Sequence, residues 1–442
     1  MSDRIAQELG RPFWWEGLPD AVPEGDLPER CDLLVIGGGY TGLSAAIAAH
    51  DCGARVVVVD AGLPGRGAST RNGGMFGAQP RLGWDVLVQR YGEAVARGGF
   101  EEASTSLTWA LGLIAAEGID CDLQACGRIA LAWTARHLEG YRETVRSLTA
   151  RSSVQAELVE REDLGAHIRT EQYFGGMFLP QHCAIQPRKF HDGLLAAVQR
   201  RGIPVVAQCP VTRLERVGGF AAETPRGRIL AERVVLATGG YTTRAFRWHQ
   251  ARVFPLPSYI IATEELSPDL IAHIAPGRRN MVESRARHSY FRVSPDGKRI
   301  LYGGRAAMVG IDLRRAAANL RGTMVEVWPE LEGARITHGW TGNTGYSFGH
   351  MPQVGVYNGV HFAMGFSGSG TVMAPYLGAK AAYRALGDAR GETAFSGTTL
   401  RPHVMHPTPR PHFLRAADLW YRNYVDRREG AGARVIGRGR RL

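Results

Sequence analysis

A chain of 442 residues with 44% hydrophobic and 21% charged residues reads as a globular protein too long for one core, so two intimately joined domains are expected. Its net charge of +11 comes mostly from arginine spread along the chain, which makes small anions expected partners and nucleic acid not one. No apolar run reaches the ~20 residues of a membrane span, and residues 1–30 are too polar for a secretory leader, so the expected location is cytoplasmic.

Residues 1–30 form an irregular arm carrying Trp14 and Trp15. Next comes DLLVIGGGYTGLSAAIAAHDCGARVVVVD, residues 32–60, which reads as strand, glycine turn, helix, strand and a closing acid. Residues 32–36 are an apolar branched run suited to a buried parallel strand. Gly37, Gly39 and Gly42 take the GxGxxG spacing: tight turn, close approach of a pyrophosphate, and close helix–strand packing. The helix at 41–49 would aim its free N–H groups at that pyrophosphate. Asp60 ends the second strand, 55–59, where a carboxylate can bind ribose hydroxyls. The glycine-rich stretch 61–81 is too long for an idle connection. Helical periodicity follows over 84–118, a strand at 127–133, and an amphipathic helix at 134–150. Residues 183–202 read as a loop opening a helix, and 203–217 as strand-like. The strand at 234–237 runs into Thr238-Gly239-Gly240, an ending that lets the backbone touch a ligand closely. Residues 246–339 read as an antiparallel sheet, with a hairpin signal at Pro295-Asp296-Gly297. Finally a strand at 360–364 enters a glycine–serine turn and a helix from about Thr371. The six cysteines show neither a CxxC pair nor zinc-like spacing, so reduced thiols and no metal are expected. Arg434, Arg438, Arg440 and Arg441 make a basic, solvated end.

With these motifs in view the chain resembles the D-amino-acid oxidase, glycine oxidase and sarcosine oxidase superfamily of flavoproteins, in particular its gamma-glutamylputrescine oxidase-like branch. The resemblance rests on CDLLVIGGGYTGLSAAIAA with Asp60, GRGASTRNGG, VVLATGGY, YFRVSPDGKRILYGGR, FAMGFSGSGT and the late segment PHFLRAADLWYRNYVDRR. It implies an α/β fold: a Rossmann-like FAD-binding domain with a parallel sheet, from 31–115, 185–245 and 340–395, and an α+β substrate domain with an antiparallel sheet, from 116–184 and 246–339. The arm 1–30 would precede them, and a C-terminal extension, 396–442, would follow. By the same resemblance Gly37, Gly39, Tyr40, Thr41 and Asp60 would hold the ADP half of FAD, and Ile36 and Ala61 would also bind the cofactor. Gly67, Ala68, Ser69, Asn72, Gly73, Gly74 and Met75 would lie near the pyrophosphate, ribityl chain and flavin. Thr238 and Gly239 would close over the dinucleotide, and Val211 would meet the adenine. Gly365, Phe366, Ser367, Gly368, Gly370 and Thr371 would lie against the isoalloxazine. Some members attach flavin through a cysteine in the segment matching 337–355 or a histidine in that matching 61–81. The first segment has no cysteine and the second no histidine, so non-covalent FAD is implied.

The implied chemistry is hydride transfer from the carbon beside a neutral amine nitrogen to FAD, then imine hydrolysis, with O2 as electron acceptor and hydrogen peroxide as product. His288, Tyr290 and Arg292 alternate on one strand and would share a face, where Tyr290 and Arg292 could clamp a carboxylate or an amide oxygen. Arg305 and His350 are further candidates, with Trp340 and Phe366 as pocket walls. The superfamily's amino-acid oxidases grip the substrate carboxylate with an arginine in the stretch matching 340–355, and that stretch holds none here. Either another arginine (292, 305, 71 or 81) does this work, or the substrate has no α-carboxylate beside its amine. The expected substrate is a small anionic amine, such as a gamma-glutamylated polyamine or an N-substituted glycine like iminodiacetate or sarcosine. An amine dehydrogenase serving a quinone or protein carrier is the alternative, and a subunit using FAD only structurally is another.

Overall fold

The computed structural model describes residues 4–19, 25–304, 306–402 and 413–429. Two eight-stranded sheets dominate it, and the chain passes between them repeatedly. The first is built on Arg30–Ile36 and Val56–Val59, whose apolar runs are buried on both faces as parallel strands require. Its central path is Gln353–Tyr357, Val360–Met364, Gly227–Leu236, Arg30–Ile36, Val56–Val59 and Val205–Val206. All neighbours along it run parallel except the first pair. Ile36 pairs with both Val59 and Leu236, so three strands end level and Gly37, Asp60 and Ala237 leave the sheet along one edge. Ligands of open α/β sheets bind at such carboxyl edges.

Helix Tyr40–His50 is almost wholly buried because small residues let two layers close on it. A Cβ on Gly42 would sit 1.8 Å from Gly37 O, and one on Gly378 would sit 2.2 Å from Thr41 O. The helix is therefore pressed between its own strand and helix Gly370–Leu386.

The second sheet runs Ile336–Ser347, Val253–Thr263, Ile300–Gly304, Ser289–Val293, Asn280–Glu283, Arg128–Leu131, Gly175–Leu179 and Glu157–Glu160. It is antiparallel but for one pair, Arg128–Leu131 with Asn280–Glu283. The predicted hairpin around residues 295–297 joins Ser289–Val293 to Ile300–Gly304.

Several expectations are corrected. The helical stretch 84–118 is two helices, Trp84–Tyr91 and Glu93–Ala116, broken where Gly92 adopts φ +85°. The strand-like region 203–217 holds only Val205–Val206 and Arg213–Arg216. The boundary expected at residue 340 falls inside Ile336–Ser347, which stays in the antiparallel sheet to its end through pairing with Val253–Thr263. Within 246–339 the chain also forms helix Leu313–Val327, whose Ala316, Ala317, Leu320 and Met324 join the core against that sheet. The irregular arm also contributes to the core. Trp14 and Trp15 are buried, and Trp14 packs edge-to-face on Trp340. The basic end at Arg434, Arg438, Arg440 and Arg441 lies outside the described residues.

Replacing Trp14 with alanine opens a cavity the surrounding core cannot collapse into, so Trp14→Ala should lower unfolding stability by about 3–5 kcal/mol. Urea denaturation checks this: a midpoint equal to that of the parent would show that the arm does not support the core.

Candidate active site

The level strand ends open onto a cavity of about 430 Å³. Its walls include Ile36, Gly37, Gly39, Tyr40, Thr41, Asp60, Ala61, Gly67, Ala68, Ser69 and Asn72. Val211, Thr238, Gly239, Gly365, Phe366, Gly368, Gly370 and Thr371 complete the predicted set that lines it. Four further predicted residues stand elsewhere. Gly73 and Met75 line a neighbouring cavity instead. Gly74 lines neither; its carbonyl accepts from Ile185 N–H at 2.8 Å and Arg292 Nη1 at 3.0 Å, which holds the loop from below. Ser367 lines neither cavity: it is fully buried, and its hydroxyl donates to Gly365 O at 3.0 Å and accepts from Ser347 N–H at 3.2 Å, which fixes the glycine–serine turn.

The cradle is shaped for a dinucleotide by what it omits. Gly37 has φ +112°, and a Cβ there would stand 2.8 Å from Ala237 O. A Cβ on Gly39 would meet Ser69 Oγ at 2.8 Å, and that hydroxyl accepts from Tyr40 N–H at 3.0 Å. The first turns of helices Tyr40–His50 and Gly370–Leu386 both line the cavity, presenting N–H groups that helices cannot satisfy internally. Asp60 accepts from Gly38 N–H at 2.7 Å and Gly62 N–H at 2.8 Å. Each oxygen keeps lone-pair capacity for a ligand hydroxyl. Behind it, His191 Nε2 donates to Gly38 O at 2.9 Å, bracing the turn from the core. The residues therefore fit FAD.

A second cavity, about 630 Å³, shares Ala68, Asn72, Thr344, Gly368 and Thr371 with the first, so the two meet there. Tyr290, His288 and His350 line it. Tyr290 Oη is 2.8 Å from Ser258 Oγ, and its ring lies 3.0 Å from where a Cβ on Gly73 would be. His350 occupies a turn with φ +56°, its ring edge-on to Tyr346 at 5.9 Å.

Arg292 does not line this cavity, contrary to the clamp role expected for it. Alternation gives its face but not its depth. The side chain is buried past the cavity, where Nε donates to Val293 O, Nη1 to Gly74 O and Ile185 O, and Nη2 to Gln124 Oε1. Burial pushes its guanidinium down to about 10, which still leaves it charged at neutral pH. Arg305 lies outside the described residues. Phe366 lines the first cavity, while Trp340 is core, its Nε1 donating to Arg71 O at 2.9 Å.

Sequence reasoning passed over several side chains of the second cavity: Arg128, Tyr141, Glu283 and Arg285. Arg285 pairs with Glu283 at 2.6 Å, and Tyr173 Oη donates to the same carboxylate at 3.0 Å. The one sequence signal was a lone arginine heading the apolar run Ile129–Leu131, and it shows only once the strand is seated in a sheet.

Asp60→Asn should weaken FAD binding roughly tenfold to a hundredfold, as a carboxamide cannot accept from both N–H groups and charged hydrogen bonds contribute about 1.5–3 kcal/mol. Fluorescence titration of the apoprotein with FAD measures it; an unchanged affinity would remove Asp60 from the cradle.

Comparison with known proteins agrees with this geometry. The sequence pattern of the family described as DAO, FAD dependent oxidoreductase, matches residues 32–384. The probable oxidoreductase OrdL of Rhizobium meliloti (strain 1021) is 32% identical over 380 residues, spanning 85% of this chain and 88% of that protein. The gamma-glutamylputrescine oxidoreductase of Escherichia coli (strain K12) is 28% identical over 384 residues, with 85% and 88% covered. Among solved structures, glycine oxidase from Geobacillus kaustophilus superposes with a TM-score of 0.72 at 20% identity, covering 85% of this chain and 100% of that one. The chain belongs to the DAO family of FAD-dependent oxidoreductases.

Proposed function

We propose that this protein oxidises the C–N bond of a small primary or secondary amine bearing an anionic group, using non-covalently bound FAD and O2. The observation that carries the reading is the junction of the two cavities: a dinucleotide cradle opens onto a space whose lining holds four arginines against one carboxylate. FAD, when bound, would take the hydride from the carbon beside nitrogen and return the electrons to O2. Overall, amine, O2 and water give a carbonyl compound, the freed amine or ammonia, and hydrogen peroxide.

The chain's own residues bind and orient. Gly37, Gly39, Asp60 and Val211 would hold the adenosine half, and Ala68, Gly365–Phe366 and Gly368–Thr371 the flavin half. The N-terminus of helix Gly370–Leu386 would favour negative charge developing nearby. Tyr290, held by Ser258, would stand over the substrate side with His288 and His350, and Arg71 and Arg81 would raise the positive potential around it. The gamma-glutamylputrescine oxidoreductase relative favours an amine whose negative group is distant from the reacting carbon. A stretch without arginine at 340–355 points the same way. Six unpaired thiols suit a reducing, cytoplasmic setting.

Anaerobic mixing with a panel of amines should bleach the oxidised flavin band for an anionic amine, and admitting O2 should restore it with one hydrogen peroxide per amine consumed. A panel that leaves the band intact would overturn the reading. Reduction that persists in O2 but is discharged by a quinone would make the protein a dehydrogenase. Acid precipitation should leave the yellow colour in the supernatant; colour in the pellet would show a covalent link.

A further inference from the structure

The arginines of the second cavity are not equivalent. Arg71 donates from Nε to Arg66 O at 2.9 Å and from Nη1 to Thr341 O at 3.1 Å, and it lies over the Trp15 ring at 4.6 Å. Arg285 is committed to Glu283 through two hydrogen bonds, at 2.6 and 2.9 Å, and is stacked over Trp133. Arg81 is exposed to solvent. Arg128 differs from all of these. Its Nε is sealed from solvent and has no hydrogen-bond partner, and no ion pair within the described residues engages its guanidinium. The side chain nevertheless lines the cavity, beside Tyr141.

Arg128 is half-buried, with its Nε withdrawn from water and left without an acceptor, which is costly, and an anion arriving in the cavity would reduce that cost. Burial is the main influence, and it pushes the group down to about 10; Arg81 adds to the effect and Tyr141 opposes it. Arg128 is thus still a cation at neutral pH. The neighbouring His182 is held down to about 3, by burial first and by Arg128 second, so it brings no rival charge.

Position supplies the chemical class. Arg128 heads the strand Arg128–Leu131, and Thr344, at the junction with the cofactor cradle, lies on Ile336–Ser347. In the sheet order these strands are separated by Val253–Thr263, Ile300–Gly304, Ser289–Val293 and Asn280–Glu283. Arg128 lines the second cavity and not the first, so an anion it holds lies away from the residues where the two cavities meet.

We propose that Arg128 is the anion-recognition residue of this cavity, docking a carboxylate several bonds removed from the oxidised carbon, with Tyr141 as a neighbouring donor. This rests on the amine-oxidation reading for the identity of the reacting end. It selects amines with a remote carboxylate over α-amino acids.

Glutarate, which has no C–N bond to oxidise, and its neutral diamide are the probes, titrated calorimetrically into the FAD-loaded full chain. Glutarate should bind at least about tenfold tighter than the diamide, the scale of a charge-assisted pair. Arg128→Gln should abolish the preference, and Arg128→Lys should restore part of it, since a point charge replaces a two-pronged donor. With an anionic amine as substrate, Arg128→Gln should raise KM far more than it lowers kcat. FAD loading with a parental spectrum certifies that each variant folds; should Arg128→Gln fail to load, Arg128→Lys still must bind glutarate about three- to tenfold more weakly than the parent. No preference in the parent, or a full preference surviving in Arg128→Gln, overturns the proposal while leaving amine oxidation standing. An Arg128-dependent glutarate preference, in a protein whose flavin no amine bleaches, upholds the anion site and removes the amine reading instead.

Discussion

The segment from Thr70 to Gly74 has almost no secondary structure to satisfy its polar groups, yet its Asn72 lines both cavities and its Arg71 and Gly73 line the second. Donors from distant parts of the chain do what a helix or sheet would otherwise do. Trp15 Nε1 donates to Thr70 Oγ1 at 2.9 Å, Trp340 Nε1 to Arg71 O at 2.9 Å, Trp14 Nε1 to Asn72 O at 2.7 Å and Arg292 Nη1 to Gly74 O at 3.0 Å. The arm, the second sheet and its hairpin thus fasten one loop. Each such bond is worth only about 1 kcal/mol net, but leaving a buried carbonyl unmade costs more, so the set is mutually enforcing. Asn72, which lines both cavities, is held by this fastening.

That fastening explains what the sequence could and could not show. The dinucleotide unit was legible because its chemistry is local. Strand, turn, helix, strand and acid follow within 29 residues in chain order, and the glycine requirement is a backbone property. The fastening was not legible, because Trp14 is hundreds of residues from Arg292 and Trp340 and nothing in their neighbourhoods marks a shared target. Arg292 illustrates the limit well. Period-two alternation says which face a strand residue takes, not whether its side chain ends in a cavity or against carbonyls behind it. Helix Leu313–Val327 was hidden by arginines at its start and by the β-rich text around it, though its apolar residues recur at helical spacing.

Charge shows a similar divide between chain and site. A net +11 describes the whole surface, and most of the arginines that produce it are exposed or paired. What distinguishes a binding cavity is a cation whose partner is missing from the fold. Arg285 and Arg128 line the same cavity; Glu283 answers the first, and among the described residues no ion pair answers the second. Counting residues treats them alike, and only the hydrogen-bond inventory separates them.

The two sheets therefore divide the work by the kind of group that performs it. On the parallel side, the cradle presents chiefly main-chain N–H groups at glycine turns and helix ends, where a side chain on Gly37, Gly39 or Gly42 would collide. On the antiparallel side, the second cavity presents chiefly side chains, among them Arg128, Ser258, Glu283 and Tyr290 from the strands. A fold so arranged can change what it oxidises without changing how it holds the oxidant. The cofactor is thus the part of the function that motif reading reaches first, and the substrate is the part that must be read from unpaired side chains.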